Sequence, residues 1–558
     1  MTTFTIAPGP LGAAFEDACA RLDRLTFADA LWNRRPDVFT KDPAVQRLVA
    51  NRLGWVQVLD VAAAHVERVR AFAQSVQTAG FTDVLLLGMG GSSLAPEVIS
   101  RVVGAAPGFP RFRMLDSVDP DAVRAAMADT RGVLFVMASK SGSTIEPSVL
   151  AAEARRRSRE AEAARWGPNV IAITDPGTVL EAQARRESFR EVFINPPDIG
   201  GRYSALSLFG LVPAALMGVN LDVLLGDARA MVEACRQPRA AANPGLALGA
   251  LMAAGAQKGR DKLTLLVPPR LASLGLWVEQ LVAESTGKQG AGVIPITGED
   301  AGAPFGSDRV FVAITLGEDA PDPAAVARAR ASDAPFAEWR MPSPLALGAE
   351  FYRWEVATAA AGALLGINPF DEPNVSQAKD ATRGLLDIYR TQQRLPVPEA
   401  HGAVDGVRFT LSHTALESAG SDPLSAVFSA ARPPDYVAVL AYLPPDIEPF
   451  DSALREVRAA LAARTGCASM YGYGPRYLHS TGQLHKGGPN SGLFLVVTAE
   501  PEADLPVPEE PFSFGVLEMA QALGDFQSLD RTGRRAIHVH LPRRDPQLLK
   551  RVADRLLG

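Results

Sequence analysis

The chain has 558 residues, of which 47% are hydrophobic and 21% are charged, and its formal net charge is -6. This length is enough for roughly three to five domains, and the composition is typical of a globular protein. The acidic balance, with basic residues scattered among acidic ones, argues against a nucleic acid partner. Cys19, Cys235 and Cys467 are too far apart in sequence to predict a metal site or a disulfide framework, and they fit a reducing compartment.

The start of the chain and its longest uncharged stretch bear on localisation. The first thirty residues include Glu16, Asp17 and Asp23 and lack the basic start and apolar core of a secretory signal. Residues 203–221 are uncharged but contain serine, glycine, proline and asparagine, so we predict a buried helix rather than a membrane span. We therefore expect a cytoplasmic protein without a membrane partner.

Apolar patterns predict the elements in chain order. The opening 80 residues are predicted to be helical, because apolar residues between 45 and 56 recur near the 3.6-residue period. Short apolar runs that alternate with helical stretches predict two successive parallel sheets and a further α/β region. The first set of runs is at 84–87, 112–115, 133–137, 170–173 and 192–194, the second at 263–267, 293–296 and 310–316, and the third at 436–443, 493–498 and 536–541. The predicted helices between and after them are 145–165, 274–285, 345–365, 376–389 and 453–464.

This alternation predicts an α/β fold with two doubly wound parallel-sheet domains. The predicted segments are an N-terminal helical arm at 1–80, a first domain at 81–225, a second domain at 226–395 and a C-terminal α/β domain at 396–558. The last boundary is set by a Leu-Pro-Val-Pro stretch at 395–398.

Two loops at predicted strand ends are candidate anion sites. Residues 88–93 form a Gly-Met-Gly-Gly-Ser-Ser turn into a helix, which suits an anion but is also typical of an ordinary tight turn. Residues 139–144, Ser-Lys-Ser-Gly-Ser-Thr, have four hydroxyls and a lysine and can surround a phosphate monoester with donors, although hydroxyl-rich turns also cap helices. Neither loop carries a Gly-Lys-Ser/Thr motif, and no magnesium-binding motif accompanies them, so a nucleoside triphosphate is not expected.

Further motifs in a fixed order resemble the glucose-6-phosphate isomerase family. They are Ile-Gly-Gly-Arg-Tyr-Ser at 199–204, Glu-Ser-Thr-Gly-Lys at 284–288, and Ile-Asn-Pro-Phe-Asp at 367–371, followed by Lys379. The arm segment at 51–55 is also similar, and the resemblance covers residues 30–390 and part of 465–500. It implies that both doubly wound domains are sugar-isomerase (SIS) domains.

The resemblance also implies roles for individual residues. Glu284 would be the base, Arg202 would face the developing enediolate, and Lys379 would assist at the ring-opening end. The implied substrate-binding residues are Ser139, Lys140, Ser141 and Thr144 at the phosphate, and Gly91, Ser92, Gly201 and Glu372 near the sugar. Glu372 stands where the family commonly has glutamine.

A histidine motif completes the resemblance but is displaced in sequence. His479, Gln483 and Gly488 have the family spacing, yet they follow Lys379 by about 100 residues, whereas most of the family has this motif before the lysine. This order is similar to the isomerase portion of fused transaldolase and glucose-6-phosphate isomerase proteins. His485 is the alternative to His479 for the catalytic role.

His538 and His540 lie one residue apart with no third ligand at a suitable spacing. We therefore expect a plain strand edge and no metal site there.

The implied reaction interconverts glucose 6-phosphate and fructose 6-phosphate through ring opening and a cis-enediolate, in glycolysis and gluconeogenesis. An imidazole suits ring opening near pH 7, a partly desolvated carboxylate suits proton abstraction, and a guanidinium suits the enediolate charge. No cofactor is implied, because no electron or group leaves the sugar. Two alternatives are an isomerase that also accepts mannose 6-phosphate and a non-catalytic phosphosugar sensor. The family usually borrows its histidine from a neighbouring subunit, which makes a homodimer an open expectation.

Overall fold

The computed structural model describes residues 4–162, 166–300, 302–417 and 423–557. These residues form an α/β fold with three sheets in which most neighbouring strands are parallel. The predicted fold class is confirmed.

The opening segment is mainly helical and leads into the first sheet. Its elements are β1 (Thr5–Ala7), α1 (Gly12–Arg24), α2 (Phe27–Trp32), α3 (Pro43–Ala50) and α4 (Val58–Thr78). The prediction of an all-helical opening is wrong at its start, because β1 pairs antiparallel with a strand at Phe336–Met341 in the second sheet. A strand of three residues has too little pattern to be read from sequence, and its backbone hydrogen bonds depend on this distant partner.

The first sheet is parallel, with strand order β3-β2-β4-β5-β6. Its strands and helices are β2 (Asp83–Gly88), α5 (Leu94–Val102), β3 (Arg111–Leu115), α6 (Pro120–Ala126), β4 (Val133–Ala138), α7 (Ile145–Glu162), β5 (Val170–Thr174), α8 (Val179–Arg186), β6 (Glu191–Ile194), α9 (Leu208–Leu216) and α10 (Leu221–Cys235). Val84 and Leu86 face one hydrophobic core and Leu85 and Leu87 another, as expected for a parallel sheet covered on both faces. The predicted end of the helix at 163–165 lies outside the described residues.

The second sheet has the order β1-β10-β9-β7-β8 and is parallel apart from β1. Its elements are α11 (Pro244–Gln257), β7 (Lys262–Leu266), α12 (Ala272–Thr286), β8 (Ile294–Ile296), β9 (Arg309–Leu316), α13 (Pro323–Ala331), β10 (Phe336–Met341), α14 (Leu347–Leu365) and α15 (Pro373–Gln392). α12 and α15 matter most for the site, because α12 ends and α15 begins beside the loops of the first sheet.

The third sheet has the order β11-β12-β16-β15-β13-β14. Its elements are β11 (Gly402–Val404), β12 (Val407–Leu411), α16 (His413–Glu417), α17 (Pro423–Ser429), β13 (Tyr436–Tyr442), α18 (Phe450–Thr465), β14 (Ala468–Tyr473), α19 (Gly482–Gly487), β15 (Gly492–Ala499), α20 (Phe514–Arg531), β16 (Arg535–Leu541) and α21 (Pro546–Leu557). A hydrophobic core shared by α12, β8, β13, β14, β15 and α20 joins this unit to the second sheet.

The predicted strand edge at His538 and His540 is wrong, because β16 lies between β12 and β15 inside the sheet. The Thr498 hydroxyl lies 2.8 Å from Nε2 of His538 and 2.9 Å from Nδ1 of His540. Burial lowers the pKa of His538 to about 3, so this ring is neutral at physiological pH.

The uncharged stretch at 203–221 contains α9, which is buried along its whole length. None of the helices in the described ranges is both long enough and apolar enough to cross a bilayer.

Candidate active site

Three turns meet beyond the carboxyl end of β2, and glycines allow their backbones to approach closely. They are Gly90–Ser92, Gly201–Tyr203 and Arg476–His479. Gly90 has a φ of 52°, and a Cβ there would lie 2.8 Å from the carbonyl oxygen of His479. A Cβ at Gly91 would lie 2.1 Å from the carbonyl oxygen of Gly201, which is closer than non-bonded atoms approach. Ser92 is buried and lies in the same 3-10 turn as Gly90 and Gly91. The structure thus brings Gly91, Ser92 and Gly201 together, as the resemblance implies.

Arg202 is buried between two carboxylates. Its Nη1 lies 3.2 Å from Oε1 of Glu284 and 3.0 Å from Oε2 of Glu372. Its Nε donates to the Ser285 hydroxyl at 2.8 Å, and its Nη2 donates to two carbonyls of the 367–371 segment, both at 2.9 Å. Four of the guanidinium's five N–H groups therefore donate hydrogen bonds within the chain, and Glu284 adds an ion pair.

Burial and neighbouring charges shift the pKa values of Glu284 and Glu372 in opposite directions. Burial raises the pKa of Glu284 above its ordinary value, and although Arg202 opposes this, the neighbouring Glu372 adds to it. Burial acts in the same direction on Glu372, but the charge and hydrogen bond of Arg202 hold the pKa of Glu372 below its ordinary value. A carboxylate with a raised pKa is suited to accept a proton near neutral pH, so Glu284 has the properties of a general base.

Lys288 joins the Glu284 motif to the 367–371 segment. Its ammonium donates to the carbonyl of Asn368 at 2.6 Å and pairs with Oδ1 of Asp371 at 2.6 Å. Burial lowers the pKa of Lys288 to about 8. Lys288 thus pairs with Asp371, and Glu284 is buried rather than a solvent-exposed partner of this lysine.

His479 ends a 3-10 turn, Arg476–His479, and its ring is held by a buried carboxylate. Its Nε2 lies 3.0 Å from Oε1 of Glu146, and the same oxygen accepts a hydrogen bond from the Gln521 amide at 2.7 Å. Burial raises the pKa of Glu146, but the charge and hydrogen bond of His479 more than offset this and hold it below its ordinary value. Because an ionised carboxylate only accepts, Nε2 carries a proton, and in the neutral form of the ring Nδ1 is therefore the acceptor.

Gln280, one turn before Glu284 on α12, connects the base to the histidine turn. Its amide nitrogen lies 3.2 Å from Oε2 of Glu284 and donates to the carbonyl oxygen of His479 at 2.7 Å. A single side chain therefore fixes the position of both groups.

Gln483 locks the histidine motif onto the second sheet's helices. Its amide donates to the carbonyl of Gly287 at 3.0 Å, and its oxygen accepts from the backbone of Asn374 at 2.8 Å. Gly488 follows the end of α19. The spacing of His479, Gln483 and Gly488 thus corresponds to one structural unit.

His485 is a core residue. Its ring packs near Tyr436, Tyr477 and Phe494, and within the described chain neither ring nitrogen has a hydrogen-bond partner. Burial holds its pKa well below the ordinary value. These surroundings favour His479 over His485 for proton transfer.

A cavity of about 500 Å³, here called the front cavity, lies beside His479. The polar residues that line it and bear on the chemistry are Ser141, Ser143, Thr144, Glu146, Lys379, His479 and Gln521. Lys379 is exposed, and within the described residues its ammonium has no hydrogen-bond or ion-pair partner. Hydroxyls, an ammonium and an imidazole thus face one space of the size of a small ligand.

The hydroxyl loop is only partly arranged as implied. The Ser139 hydroxyl lies 3.3 Å from Oγ1 of Thr144, and the Ser141 and Ser143 hydroxyls are 3.1 Å apart. The Lys140 ammonium turns to the carboxylate of Asp175 and to the carbonyl of residue 197, and among the described residues neither Lys140 nor Ser139 lines the front cavity. The Lys140 side chain would have to leave Asp175 to reach a phosphate.

Sequence reasoning missed Glu146, Gln521 and Gln280 as site residues. Glu146 follows the hydroxyl loop at the start of α7, so a carboxylate in the first turn of that helix was a usable signal. Gln521 and Gln280 lie inside buried helices without a local motif, and only the tertiary structure brings them to His479.

No group of three or more His, Cys, Asp or Glu side chains able to hold a metal ion occurs in the described parts of the chain.

Part of the chain is similar in sequence to known proteins. Residues 49–294 match the family model described as phosphoglucose isomerase. A glucose-6-phosphate isomerase from Synechococcus sp. (strain JA-2-3B'a(2-13)) is 36% identical over 239 residues, which cover 40% of this chain and 44% of the relative. One from Trichormus variabilis is 30% identical over 294 residues, covering 49% and 51% respectively. The chain thus spans about half the length of the curated relatives that it matches.

Solved structures share the fold. A hypothetical protein from Thermus thermophilus has a TM-score of 0.59 and 25% identity, with 68% of this chain and 99% of that chain covered. A glucose-6-phosphate isomerase from Chlamydia trachomatis has a TM-score of 0.52 and 20% identity, with 66% and 79% covered.

Proposed function

We propose that this chain, whose residues 49–294 match the phosphoglucose isomerase family model, interconverts glucose 6-phosphate and fructose 6-phosphate through ring opening and a cis-enediolate. The observation that best supports this proposal is that the Gln280 amide donates hydrogen bonds both to the candidate base Glu284 and to the carbonyl oxygen of His479. An acid–base pair fixed in this way provides what an aldose–ketose isomerisation needs.

Ring opening is assigned to His479. With Nε2 held by Glu146, Nδ1 can take the C1 hydroxyl proton and pass it to the ring oxygen as the bond between C1 and that oxygen breaks. Lys379, exposed in the same cavity, would assist by supporting the charge that develops on the ring oxygen.

Isomerisation is assigned to Glu284 and Arg202. Glu284 would remove the C2 proton and return it to C1, and the raised pKa of this carboxyl favours that exchange. The enediolate charge would be stabilised by Arg202, which requires the substrate to replace the partly exposed Glu372 at Nη1.

Phosphate binding is assigned to the loop of Ser139, Lys140, Ser141 and Thr144. Ser141 and Thr144 line the front cavity and can donate directly, whereas Ser139 supports the loop by accepting from the backbone of Gly142 at 3.2 Å. The phosphate does not react, so this loop acts by holding C1 and C2 against the catalytic groups.

The function is tested with Glu284→Gln, which keeps size and hydrogen bonding but cannot accept the proton. Turnover in a coupled assay should fall by ~10²–10⁴-fold, while binding of a phosphorylated aldonate that mimics the enediolate should persist. Glu233→Gln, a change at an exposed carboxylate on α10, is the matched control and should retain full activity.

In deuterated water the wild-type product should carry solvent deuterium. Near wild-type turnover of Glu284→Gln, or hydrogen transfer without any solvent label, would contradict the proposal. Parallel assays with mannose 6-phosphate decide whether that sugar is also a substrate, and absence of turnover with every sugar phosphate would favour the phosphosugar sensor.

His479 reaches Glu146 within one chain, so the proposed site needs no histidine from a second subunit. We further propose that the protein acts in glycolysis and gluconeogenesis and is cytoplasmic, and both statements are predictions.

A further inference from the structure

A second cavity lies on the other side of the histidine turn. Its volume is about 430 Å³, and it is here called the rear cavity. The residues proposed below to contact a ligand are Arg270, Ser273, Arg458, Tyr473 and Tyr477, and all of them line this cavity. Tyr477 lines the rear cavity and His479 lines the front cavity, so the turn Arg476–His479 forms part of the wall between them.

Two arginines that line the rear cavity have no direct carboxylate partner in the described chain. Arg270 is exposed, and its Nε donates to the carbonyl of Val102 at 3.3 Å. Arg458 is buried and bonds Ser469 and the carbonyls of Thr297 and Gly298, at 2.6 to 3.0 Å. Within the described chain neither arginine has a carboxylate at ion-pair distance.

Arg458 also has unused hydrogen-bonding capacity. Its Nε and both Nη2 hydrogens have acceptors, whereas the structure gives Nη1 a single acceptor among the described residues. A guanidinium has five N–H donors, so one remains to point toward a ligand.

Ser273 supplies an unpartnered buried hydroxyl. It is the second residue of α12 and only 7% exposed, and its Oγ has no hydrogen-bond partner in the described structure. The N-terminal end of a helix favours negative charge. A buried hydroxyl without a partner at this position is energetically unfavourable unless a ligand accepts its proton.

The acidic groups of the rear cavity are already engaged. Glu279 accepts from the hydroxyl of Thr297 at 2.6 Å, and burial raises the pKa of Glu279 to about 7. Asp446 pairs with Arg101 at 2.9 Å. The other arginines of this wall, Arg455 and Arg476, each have a carboxylate partner, so Arg270 and Arg458 are the lining arginines without one in the described chain.

We propose that the rear cavity is a second binding site, for a small organic phosphate whose phosphate group is held by Arg270, Ser273 and Arg458. Two guanidinium groups and a hydroxyl at a helix N-terminus match a phosphate monoester in charge and in donors. The cavity exceeds the volume of an inorganic phosphate, and Tyr473 and Tyr477 offer aromatic walls for the organic part. The inference does not depend on the proposed isomerase activity.

Equilibrium dialysis with radiolabelled glucose 6-phosphate tests the proposal directly. The wild-type chain should bind two molecules, one in each cavity. The double variant Arg270→Gln/Ser273→Ala should lose one class of site, with at least tenfold weaker binding, and Ser141→Ala/Thr144→Ala should lose the other. Arg229→Gln, a change at an exposed arginine on α10, is the matched control and should keep both.

Thermal unfolding should be similar for wild type and the rear-cavity variant, because Arg270 is exposed and Ser273→Ala removes an unpartnered hydroxyl. Inorganic phosphate should compete for both sites, and unphosphorylated glucose for neither. A single wild-type site that Ser141→Ala/Thr144→Ala abolishes, or sites that are all unaltered in Arg270→Gln/Ser273→Ala, would overturn the proposal. If the front site is absent while the rear site is retained, the proposed isomerase function fails and this inference stands.

Discussion

Nη1 of Arg202 lies 3.2 Å from the carboxylate of Glu284, the proposed base. The same nitrogen also bonds Glu372, which stands where the resembling family commonly has glutamine. Two carboxylates therefore share one cation, and any change in the charge of Glu372 acts on Glu284 both directly and through Arg202.

Glu372→Gln should shift the acidic side of the pH profile to lower pH. Glu284 must be ionised to accept a proton, and the negative charge of Glu372 contributes to raising the pKa of Glu284. Without that charge, and with Arg202 freed to pair with Glu284, the pKa of the base falls and activity persists to lower pH. The measurement is kcat/KM against pH. Glu372→Asp retains the charge and is the control, and an unchanged profile in Glu372→Gln would contradict this coupling.

Ser141→Ala/Thr144→Ala should weaken substrate binding more than it slows chemistry. Each lost hydrogen bond to a charged phosphate is worth about 1.5–3 kcal/mol, so KM should rise by at least tenfold. Initial rates over a wide range of sugar phosphate concentration give KM and kcat separately. Ser75→Ala on α4, where the hydroxyl bonds the carbonyl of Phe72, is the control. A KM equal to that of the wild type would remove the phosphate from this loop.

Gly91→Ala should separate two loops of the site. The new methyl group would lie 2.1 Å from the carbonyl oxygen of Gly201, so the backbone on which Arg202 sits must move. We expect a loss of about 1–3 kcal/mol in the free energy of unfolding, measured with urea, together with a large loss of turnover. Gly226→Ala on α10, where the structure shows no atom within 4 Å of the new Cβ, should be neutral or stabilising. Wild-type activity in Gly91→Ala would refute the close approach.

The sequence predicts most central strands but not those that depend on tertiary partners. The runs at 84–87, 133–137 and 310–316 are continuous and apolar because both faces of these strands are buried, and the structure has strands at each of them. β10 was missed because Phe336–Met341 includes Glu338 and Arg340, which interrupt the apolar run. β14 was missed because glycine and serine dilute its pattern.

The sequence predicts those candidate site residues that belong to a recognisable motif. Arg202, Glu284 and His479 come together as the family order implies, although they are distant in sequence. The ion pair of Lys140 with Asp175 could not be foreseen, because it depends on how the ends of β4 and β5 adjoin. The clamp of Glu146 and Gln521 on His479 likewise requires contact between α7 and α20.

His479 and His485 can be separated by ring opening. His479→Ala should slow turnover of the cyclic sugar more than exchange of the C2 proton from an open-chain substrate, because only the first process requires the imidazole. His485→Phe should show no such selectivity, since His485 packs among aromatic rings without a hydrogen-bond partner in the described structure. Glu146→Ala gives an independent check, because it removes the oxygen that accepts from Nε2 of His479 and therefore no longer fixes the proton on Nε2. Without that contact Nδ1 is not held as the acceptor of the C1 hydroxyl proton, so Glu146→Ala should selectively slow ring opening, by up to ~10²–10⁴-fold. Parallel assays on cyclic and open-chain substrates measure all three variants. A selective loss in His485→Phe, with normal ring opening in His479→Ala and Glu146→Ala, would transfer the role to His485 and overturn the assignment.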